Sequence, residues 1–244
     1  MTVRLRYLLL LASTMLLFTG CQLRGKPAPG PEVPRPDSIQ DFTVLYGQNC
    51  AGCHGVDGKN GAAMNLSDPV YLAIVDDDTL RATISKGRPG TAMSAFAQKE
   101  GGMLTAQQIN SIIAGMRQHW SKPDALAGTT APPYAAKAAG NPQQGQAAYG
   151  TFCASCHGTD GKGGPKAGSV TNPFYLNLIS NQGLRTIVIA GRPDFDAPDW
   201  RNNVPGRPMT EQEISDVVAW LAAQRPQKAG VVAAANAPAS GGVH

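Results

Sequence analysis

The sequence predicts an all-α protein built from two tandem copies of one small helical domain. A ten-residue stretch that begins at Cys50 (CAGCHGVDGK) recurs at Cys153 (CASCHGTDGK), an offset of 103 residues. Apolar residues near the end of each copy follow the i, i+3, i+4, i+7 spacing of an amphipathic helix, and no alternating strand pattern competes with it. A repeat of this length indicates a duplicated domain, because solenoid units run roughly 20–50 residues.

The first residues predict an export signal. Two arginines precede an apolar run over residues 7–18, which is shorter than the ~20 residues that span a bilayer. The run ends in small residues and Cys21, and this pattern resembles a bacterial lipobox, in which the cysteine is lipidated and becomes the mature N-terminus. An ordinary signal peptide with an incidental cysteine is the alternative.

Composition divides the rest of the chain into segments. The net charge is only +4 over 244 residues and no basic stripe is visible, which argues against nucleic acid as a partner. Stretches rich in Pro, Gly and Ala predict linkers, because they bury little apolar surface. The predicted segments are the signal 1–20, a tether 21–37, domain one 38–122, a linker 123–142, domain two 143–226 and a disordered tail 227–244.

Each copy is predicted to contain three main helices. Opening helices precede the repeated motif, middle helices follow it, and each final helix begins after a threonine N-cap, Thr105 or Thr210. Glu213 completes a capping box in the second copy. The predicted opening helices are 38–48 and 143–152, and the middle helices are Asp77–Lys86 and Asn181–Ile189. The predicted apolar faces of the final helices are Ile109, Ile112, Ile113 and Met116, and Ile214, Val217, Val218 and Leu221.

The repeated motif is C-x-x-C-H, which is typical of covalent attachment of c-type haem. A thioredoxin-like redox site needs a βαβ pattern that is missing here, and a shared zinc site is disfavoured by the spacing of about one hundred residues. A structural disulfide would not explain the histidine. The motif therefore predicts two covalent haem c groups, with thioether cysteines Cys50, Cys53, Cys153 and Cys156 and proximal iron ligands His54 and His157.

Beyond the motif, each copy resembles the class I cytochrome c fold over nearly all of its predicted ordered length. The resemblance implies that the opening and final helices cross and that haem fills the core. It also implies that a backbone carbonyl shortly after the motif accepts the N–H of the proximal histidine. Pro165 matches that position in the second copy, and Ala62 stands there in the first.

The two copies differ at the expected sixth iron ligand. In the family this ligand is usually a methionine between the middle and final helices, and Met93 matches it in the first copy. The second copy has Ala197 at the matching position, so its candidate is Met209; a packing role for Met209 and an open iron remain alternatives. Arg88 and Arg192, in matching Gly-Arg-Pro turns, are candidates for pairing with haem propionates or for facing solvent.

The resemblance implies electron transfer between redox proteins rather than catalysis. The chain is similar to cytochrome subunits of bacterial respiratory complexes, and a lipidated Cys21 would hold it on the periplasmic side of the membrane. Two alternatives remain. One is a peroxidase-like or gas-binding role at an open second haem, and the other is service as the cytochrome subunit of a periplasmic dehydrogenase.

Overall fold

The described part of the protein is helical. The computed structural model describes residues 30–226, and within them there is no β-strand, only two isolated bridges. The described residues up to Ser38 separate from a second unit that begins at Ile39 and contains both copies. These findings confirm the predicted all-α fold. The predicted signal 1–20, Cys21, the first part of the tether and the tail 227–244 lie outside the described residues.

From residue 39 to 226 the chain forms ten α-helices, five in each copy. The first copy contains α1 (Phe42–Asn49), α2 (Ala51–His54), α3 (Pro69–Ile74), α4 (Asp77–Lys86) and α5 (Ala106–Trp120). The second contains α6 (Pro142–Phe152), α7 (Ala154–His157), α8 (Pro173–Leu178), α9 (Asn181–Ala190) and α10 (Glu211–Ala223). Short 3-10 helices lie at Pro36–Ser38, Gln98–Glu100 and Pro193–Phe195. The predicted opening, middle and final helices are confirmed, with ends that differ by a few residues.

Two short helices, α3 and α8, form where none was predicted. Each begins with a proline in its first turn, and an Asp or Asn side chain caps it from the preceding position. Asp68 Oδ1 accepts the backbone N–H of Tyr71 at 2.8 Å, and Asn172 caps α8 in the same way. The dipeptides Asp-Pro and Asn-Pro carry this start signal in the sequence, because proline at the first position loses no helical hydrogen bond.

The final helices begin at reciprocal capping boxes. Thr210 and Glu213 form the predicted box, and Thr105 forms a second one with Gln108 in the first copy. The eight residues of the predicted apolar faces are all buried. The period of the sequence therefore identified the side of each final helix that packs on the core.

The opening and final helices of each copy pack together through a glycine. This glycine lies on the final helix in the first copy and on the opening helix in the second. In the first copy the ring of Phe42 on α1 lies on Gly115 of α5, only 2.2 Å from where a Cβ would stand. In the second copy the glycine is Gly145 on α6, where a Cβ would stand 2.0 Å from the carbonyl oxygen of Asp216 and 2.8 Å from the Cβ of Trp220 on α10. Both crossings thus depend on one glycine, contributed by opposite helices.

In each copy one arginine donates hydrogen bonds to carbonyl groups at the end of the short helix that follows the motif. Arg117 of α5 donates to the carbonyl oxygens of Leu72 and Val75 at the end of α3. Arg225, just beyond α10, makes the equivalent bonds at the end of α8, at 2.9 Å each. These bonds satisfy carbonyl groups that a helix end leaves without partners. The repeat does not reveal the equivalence, because Arg117 lies within its final helix and Arg225 lies beyond the end of its own.

Tyr134 joins the predicted linker to both copies. Its carbonyl oxygen accepts hydrogen bonds from Gln182 at 2.7 Å and from the buried Arg185 at 3.1 Å, both on α9. Its hydroxyl lies 2.6 Å from Nη2 of Arg88 in the first copy. The Gly-Arg-Pro turn of the first copy therefore contacts protein, and Arg88 does not simply face solvent.

Asp68 is a buried acid at the boundary between the copies, where α3 packs against α9. Asp68 is only 4% exposed. Burial is the largest cause that raises its pKa to about 6; the bonds from Tyr71 and Val70 oppose the rise, and the carboxylates of Asp199 and Asp194 add to it. Ionising Asp68 therefore costs the folded protein free energy.

Replacing Asp68 with Asn is expected to raise the free energy of unfolding by about 3 kcal/mol at pH 8 and to change it little at pH 4, at ~1.4 kcal/mol per pKa unit. The folded pKa lies above the unfolded value of 3.8, so the wild type loses stability as the pH rises from about 4 to about 6. Asn keeps the cap and stands at this position in α8. Urea unfolding at the two pH values measures the effect.

The control is Asp76→Asn at the exposed cap of α4. The backbone N–H of Thr79 lowers the pKa of Asp76, so this variant should lose stability at neutral pH and lose less at acid pH. An equal gain at both pH values for Asp68→Asn would show that its charge is not the cause.

Candidate functional site

Each C-x-x-C-H motif forms a single helical turn directly after the opening helix. Cys50 and Cys153 end the opening helices and begin the motif turns α2 and α7. The backbone N–H of each motif histidine donates to the carbonyl of the first cysteine at 3.0 Å. A helical turn places residues three apart on the same face, so the two thiols of a motif lie on one face of the turn.

A glycine ends each motif turn with positive φ, 84° at Gly55 and 79° at Gly158. A Cβ on Gly55 would stand 1.7 Å from the carbonyl oxygen of Lys59, and a Cβ on Gly158 would stand 2.5 Å from that of Gly163. The chain therefore needs glycine here to fold back over the motif.

The proximal histidines are held by backbone carbonyls, but not by the predicted ones. His54 Nδ1 lies 2.8 Å from the carbonyl oxygen of Met64, and His157 Nδ1 lies 2.8 Å from that of Gly168. The predictions of Ala62 and Pro165 were wrong by two and three residues. The glycine-rich loop after the motif turns back further along the chain than the proline suggested, and both acceptors lie at equivalent positions in the repeat.

A tyrosine one turn before each motif anchors the end of the motif turn. Tyr46 Oη donates to the carbonyl oxygen of Gly55 at 2.9 Å, and Tyr149 Oη donates to that of Gly158 at 2.7 Å. Both tyrosine rings are buried against the final helix, where Tyr149 lies 4.3 Å from Trp220 between ring centroids. These two residues were not among the predicted site residues, although their matching positions in the repeat were a usable signal.

Replacing Tyr149 with Phe is expected to lower the free energy of unfolding by about 1 kcal/mol, because a buried hydroxyl–carbonyl bond is lost. The carbonyl that it leaves belongs to Gly158, next to His157, so the turn should also exchange its amide hydrogens faster. Chemical unfolding and hydrogen exchange measure the two effects. Tyr175→Phe is the control, because its hydroxyl makes no hydrogen bond within residues 30–226; equal losses in both variants would contradict the prediction.

The electrostatics of the first motif favour a metal-ligating histidine over a thiol nucleophile. Burial lowers the pKa of His54, the bond to Met64 opposes this, and the charge of Arg192 adds to it, so the ring is neutral at neutral pH. Burial, and then the neighbouring Cys53, raises the pKa of Cys50 to about 11. A thioredoxin-like cysteine needs the opposite shift.

The residues present fit a covalently attached haem. The carbonyl bond occupies Nδ1 of each motif histidine, and Nε2 makes no hydrogen bond in the described chain, so this nitrogen is available to iron. All four motif cysteines are free thiols. No three His, Cys, Asp or Glu side chains within residues 30–226 come together as a group able to hold a bare metal ion, which disfavours the zinc alternative.

The loop that carries Met93 is fixed by its neighbours. Gly87 has a φ of 66°, and a Cβ there would stand 2.6 Å from the carbonyl oxygen of Met93. The N–H of Arg88 donates to that same oxygen at 2.9 Å, and the N–H of Met93 donates to Thr91 Oγ1 at 3.2 Å. The Met93 side chain is half-buried and stays the predicted sixth ligand of the first iron.

The equivalent loop of the second copy is closed by the same two backbone contacts and lacks the sulfur. Gly191 approaches the carbonyl oxygen of Ala197 as Gly87 approaches that of Met93, and the N–H of Arg192 donates to Ala197 at 2.9 Å. Ala197 is therefore the structural counterpart of Met93.

Met209 occupies a different place from Met93. It is 3% exposed, and its N–H donates to the Trp200 carbonyl just as Leu104 donates to Phe96 in the first copy. The amide of Asn203 lies 3.9 Å from its sulfur. Met209 thus stands at a core position, and its role as an iron ligand stays a prediction.

Two segments of the chain match known protein families. Residues 142–224 match the family described as cytochrome c. Residues 37–114 match the family described as cytochrome c oxidase, cbb3-type, subunit III. One match falls on each copy of the repeat.

Several curated proteins are similar to this chain. It is 28% identical over 163 residues to the cbb3-type cytochrome c oxidase subunit CcoP of Rubrivivax gelatinosus, which covers 66% of this chain and 48% of that protein. It is also 28% identical over 163 residues to the cbb3-type subunit FixP of Rhizobium meliloti (strain 1021), covering 61% and 51%. The chain spans about half the length of the curated relatives it matches.

A solved structure from a Kuenenia stuttgartiensis reducing HAO-like protein complex aligns with a TM-score of 0.45 and 18% identity, over 80% of this chain and 100% of that one. Of the helices within residues 30–226, none combines the length and apolar character that a membrane span requires.

Proposed function

Because the chain is a dihaem cytochrome c that transfers electrons through two covalently bound haem c groups, we propose that it relays them between respiratory redox proteins outside the cytoplasmic membrane. The observation that carries the proposal is the pair of motif turns, each with a histidine whose Nδ1 is held by a backbone carbonyl. The two turns lie in one compact unit, which supports electron exchange between two centres of one chain.

The chain's own residues bind and orient the groups. Cys50 and Cys53 hold the first haem and Cys153 and Cys156 the second, while His54 and His157 supply the proximal nitrogens. When bound, each haem iron takes up and gives back one electron. The carbonyl bonds to Nδ1 fix each imidazole plane and make its other nitrogen a better donor to iron.

We propose Met93 as the sixth ligand of the first iron. A thioether favours ferrous iron and raises the reduction potential, and a six-coordinate iron has no position for substrate. The backbone on both sides of Met93 is fixed by Gly87 and Arg88, which supports a defined position for the sulfur.

The proposed partner is a membrane respiratory complex. The curated relatives are named as subunits of cbb3-type cytochrome c oxidases, and the signal 1–20 with Cys21 supports export and a lipid anchor on the periplasmic side. The wild type is expected to carry a lipid on an N-terminal Cys21, and a Cys21→Ser variant is expected to lack that lipid while keeping two haems per chain. Mass spectrometry of the N-terminal peptide measures this, and an unmodified Cys21 in the wild type would count against the anchor.

A second candidate function, binding or reduction of a small ligand at the second haem, is favoured by one observation. Ala197 occupies the backbone position of Met93, and Met209 occupies the core position of Leu104. If Met209 does not reach the iron, the second haem is open on one side.

Visible and near-infrared spectra of the purified ferrous and ferric protein, with and without carbon monoxide, separate the two functions. A pure relay is expected to show two irons that do not bind carbon monoxide and a long-wavelength band with the intensity of two methionine-ligated ferric haems per chain. Carbon monoxide binding at one iron that Met209→Ala leaves unchanged would overturn the relay-only function and support the second candidate.

A further inference from the structure

The loop of the second copy that lacks a methionine contacts the first copy beside its motif. Nη2 of Arg192 donates to the carbonyl oxygen of Gly61 at 3.0 Å. Its neighbour Asp194 accepts the backbone N–H of Asn60 at 2.9 Å. Residues 60 and 61 belong to the loop between His54 and Met64, so both contacts act on the segment that holds the first proximal histidine.

Arg192 and Asp194 form a closed ion pair in this contact. Nε and Nη2 of Arg192 lie 3.0 and 2.8 Å from the two carboxylate oxygens, and the Asp194 side chain is only 1% exposed. Burial would raise the pKa of Asp194, but the bonds from Arg192 and Asn60 outweigh it and lower the pKa to about 2. The pair is therefore ionised at every physiological pH, and its geometry is bidentate.

The contact reaches the motif through Gly61. A Cβ on this glycine would stand 2.3 Å from the carbonyl oxygen of Cys53 and 2.5 Å from the carbonyl carbon of His54. The loop that Arg192 holds thus lies directly on the backbone of the first motif.

The equivalent turn of the first copy has no such pair. Arg88 bonds to Tyr134 in the linker, and Gly90 stands where the second copy has Asp194. The second loop therefore has a carboxylate at Asp194 and no methionine, and its charged side chains Arg192 and Asp194 contact the first copy.

We propose that Arg192 and Asp194 of the second domain are positioning residues for the first haem, which hold its proximal loop and set its reduction potential by their opposite charges. The proposal rests on the proposed ligation of the first iron by His54 and Met93. A positive charge near an iron favours the ferrous state and a negative charge favours the ferric state, because reduction lowers the charge of the site.

The test is a potentiometric titration of the holoprotein carrying single substitutions. Arg192→Gln removes the positive partner of the Asp194 carboxylate. It should shift the reduction equilibrium of the first haem about threefold toward ferric. This shift is roughly 30 mV downward in reduction potential, at ~59 mV per tenfold for one electron. Asp194→Asn removes the negative partner of the Arg192 guanidinium and should shift the reduction equilibrium of the first haem by a similar factor toward ferrous. Arg192→Lys keeps the charge and should restore most of the wild-type potential.

The controls assign the haem and separate charge from loosening. Met93→Ala identifies which of the two waves belongs to the first haem. Asp196→Asn removes an exposed charge in the same loop, at a left-handed position that Asn tolerates, and should move neither wave. Shifts in the same direction in Arg192→Gln and Asp194→Asn, or none, or shifts confined to the second haem, would overturn the proposal.

A different result marks failure of the ligation on which the proposal rests. If Met93→Ala moves neither wave and the wild type lacks the band of methionine-ligated haem, the assignment of the first iron's ligands is wrong, whatever the Arg192 and Asp194 variants do.

Discussion

Replacing Met93 with alanine is expected to open the first iron to carbon monoxide and to lower its reduction potential by on the order of 0.1 V, within the ~0.8 V range that axial ligands control. The variant gives the first loop the residue that the second loop already has at Ala197. Because Gly87 and Arg88 hold the loop through the backbone of residue 93, the loop should keep its shape while the sulfur is lost.

The measurement is a carbon monoxide difference spectrum of the ferrous protein together with a redox titration. Met103→Ala is the matched control, because Met103 is 79% exposed and lies in the same interval between middle and final helices. If Met103→Ala opens the iron and Met93→Ala does not, the sixth ligand has been assigned to the wrong methionine. The second haem serves as an internal reference in both spectra.

Replacing Gly145 with alanine is expected to lower the free energy of unfolding of the second domain by about 3 kcal/mol, at the upper end of the usual cost of overpacking. The added Cβ would stand 2.0 Å from the carbonyl oxygen of Asp216, which is backbone and cannot rotate away. The helices α6 and α10 must therefore separate, and the packing of Tyr149 on Trp220 must loosen with them.

The control for this variant lies on the same helix. Gly150 of α6 is exposed, and nothing lies within 4 Å of where a Cβ would stand on it. Gly150→Ala should therefore raise the free energy of unfolding by about 0.5–1 kcal/mol through helix propensity alone. Urea unfolding followed by far-ultraviolet circular dichroism compares the two. Similar values for both glycines would show that the crossing is not as close as described.

The sequence predicted the features that local pattern and repetition control. The motif and the threonine caps depend on residues a few positions apart, and the duplicated frame is visible as a repeated stretch of sequence; the structure confirms the caps. The carbonyl acceptors for His54 and His157 were missed because they depend on how far a glycine-rich loop turns, and positive φ values at several glycines decide that.

Long-range pairings were not predictable from the repeat. Arg192 and Asp194 look like ordinary charges in a turn until the other copy is placed beside them. Arg117 donates from within α5 and Arg225 from beyond the end of α10, so aligning the copies hides that both bond to equivalent carbonyl groups. In each case the partner is set by packing between segments far apart in sequence.

The exchange of glycine and aromatic residue between the two helix crossings also disfavours pairing of the opening helix of one copy with the final helix of the other. At the same crossing angle, α1 against α10 would drive the ring of Phe42 into the backbone that only Gly145 admits, and α6 against α5 would leave Gly145 facing Gly115 across a gap. We therefore expect a helix of one domain to pack poorly against the partner helix of the other domain. A chain with two similar domains risks such swapped assembly as it folds, and here one pair of exchanged residues makes each opening helix specific for its own final helix.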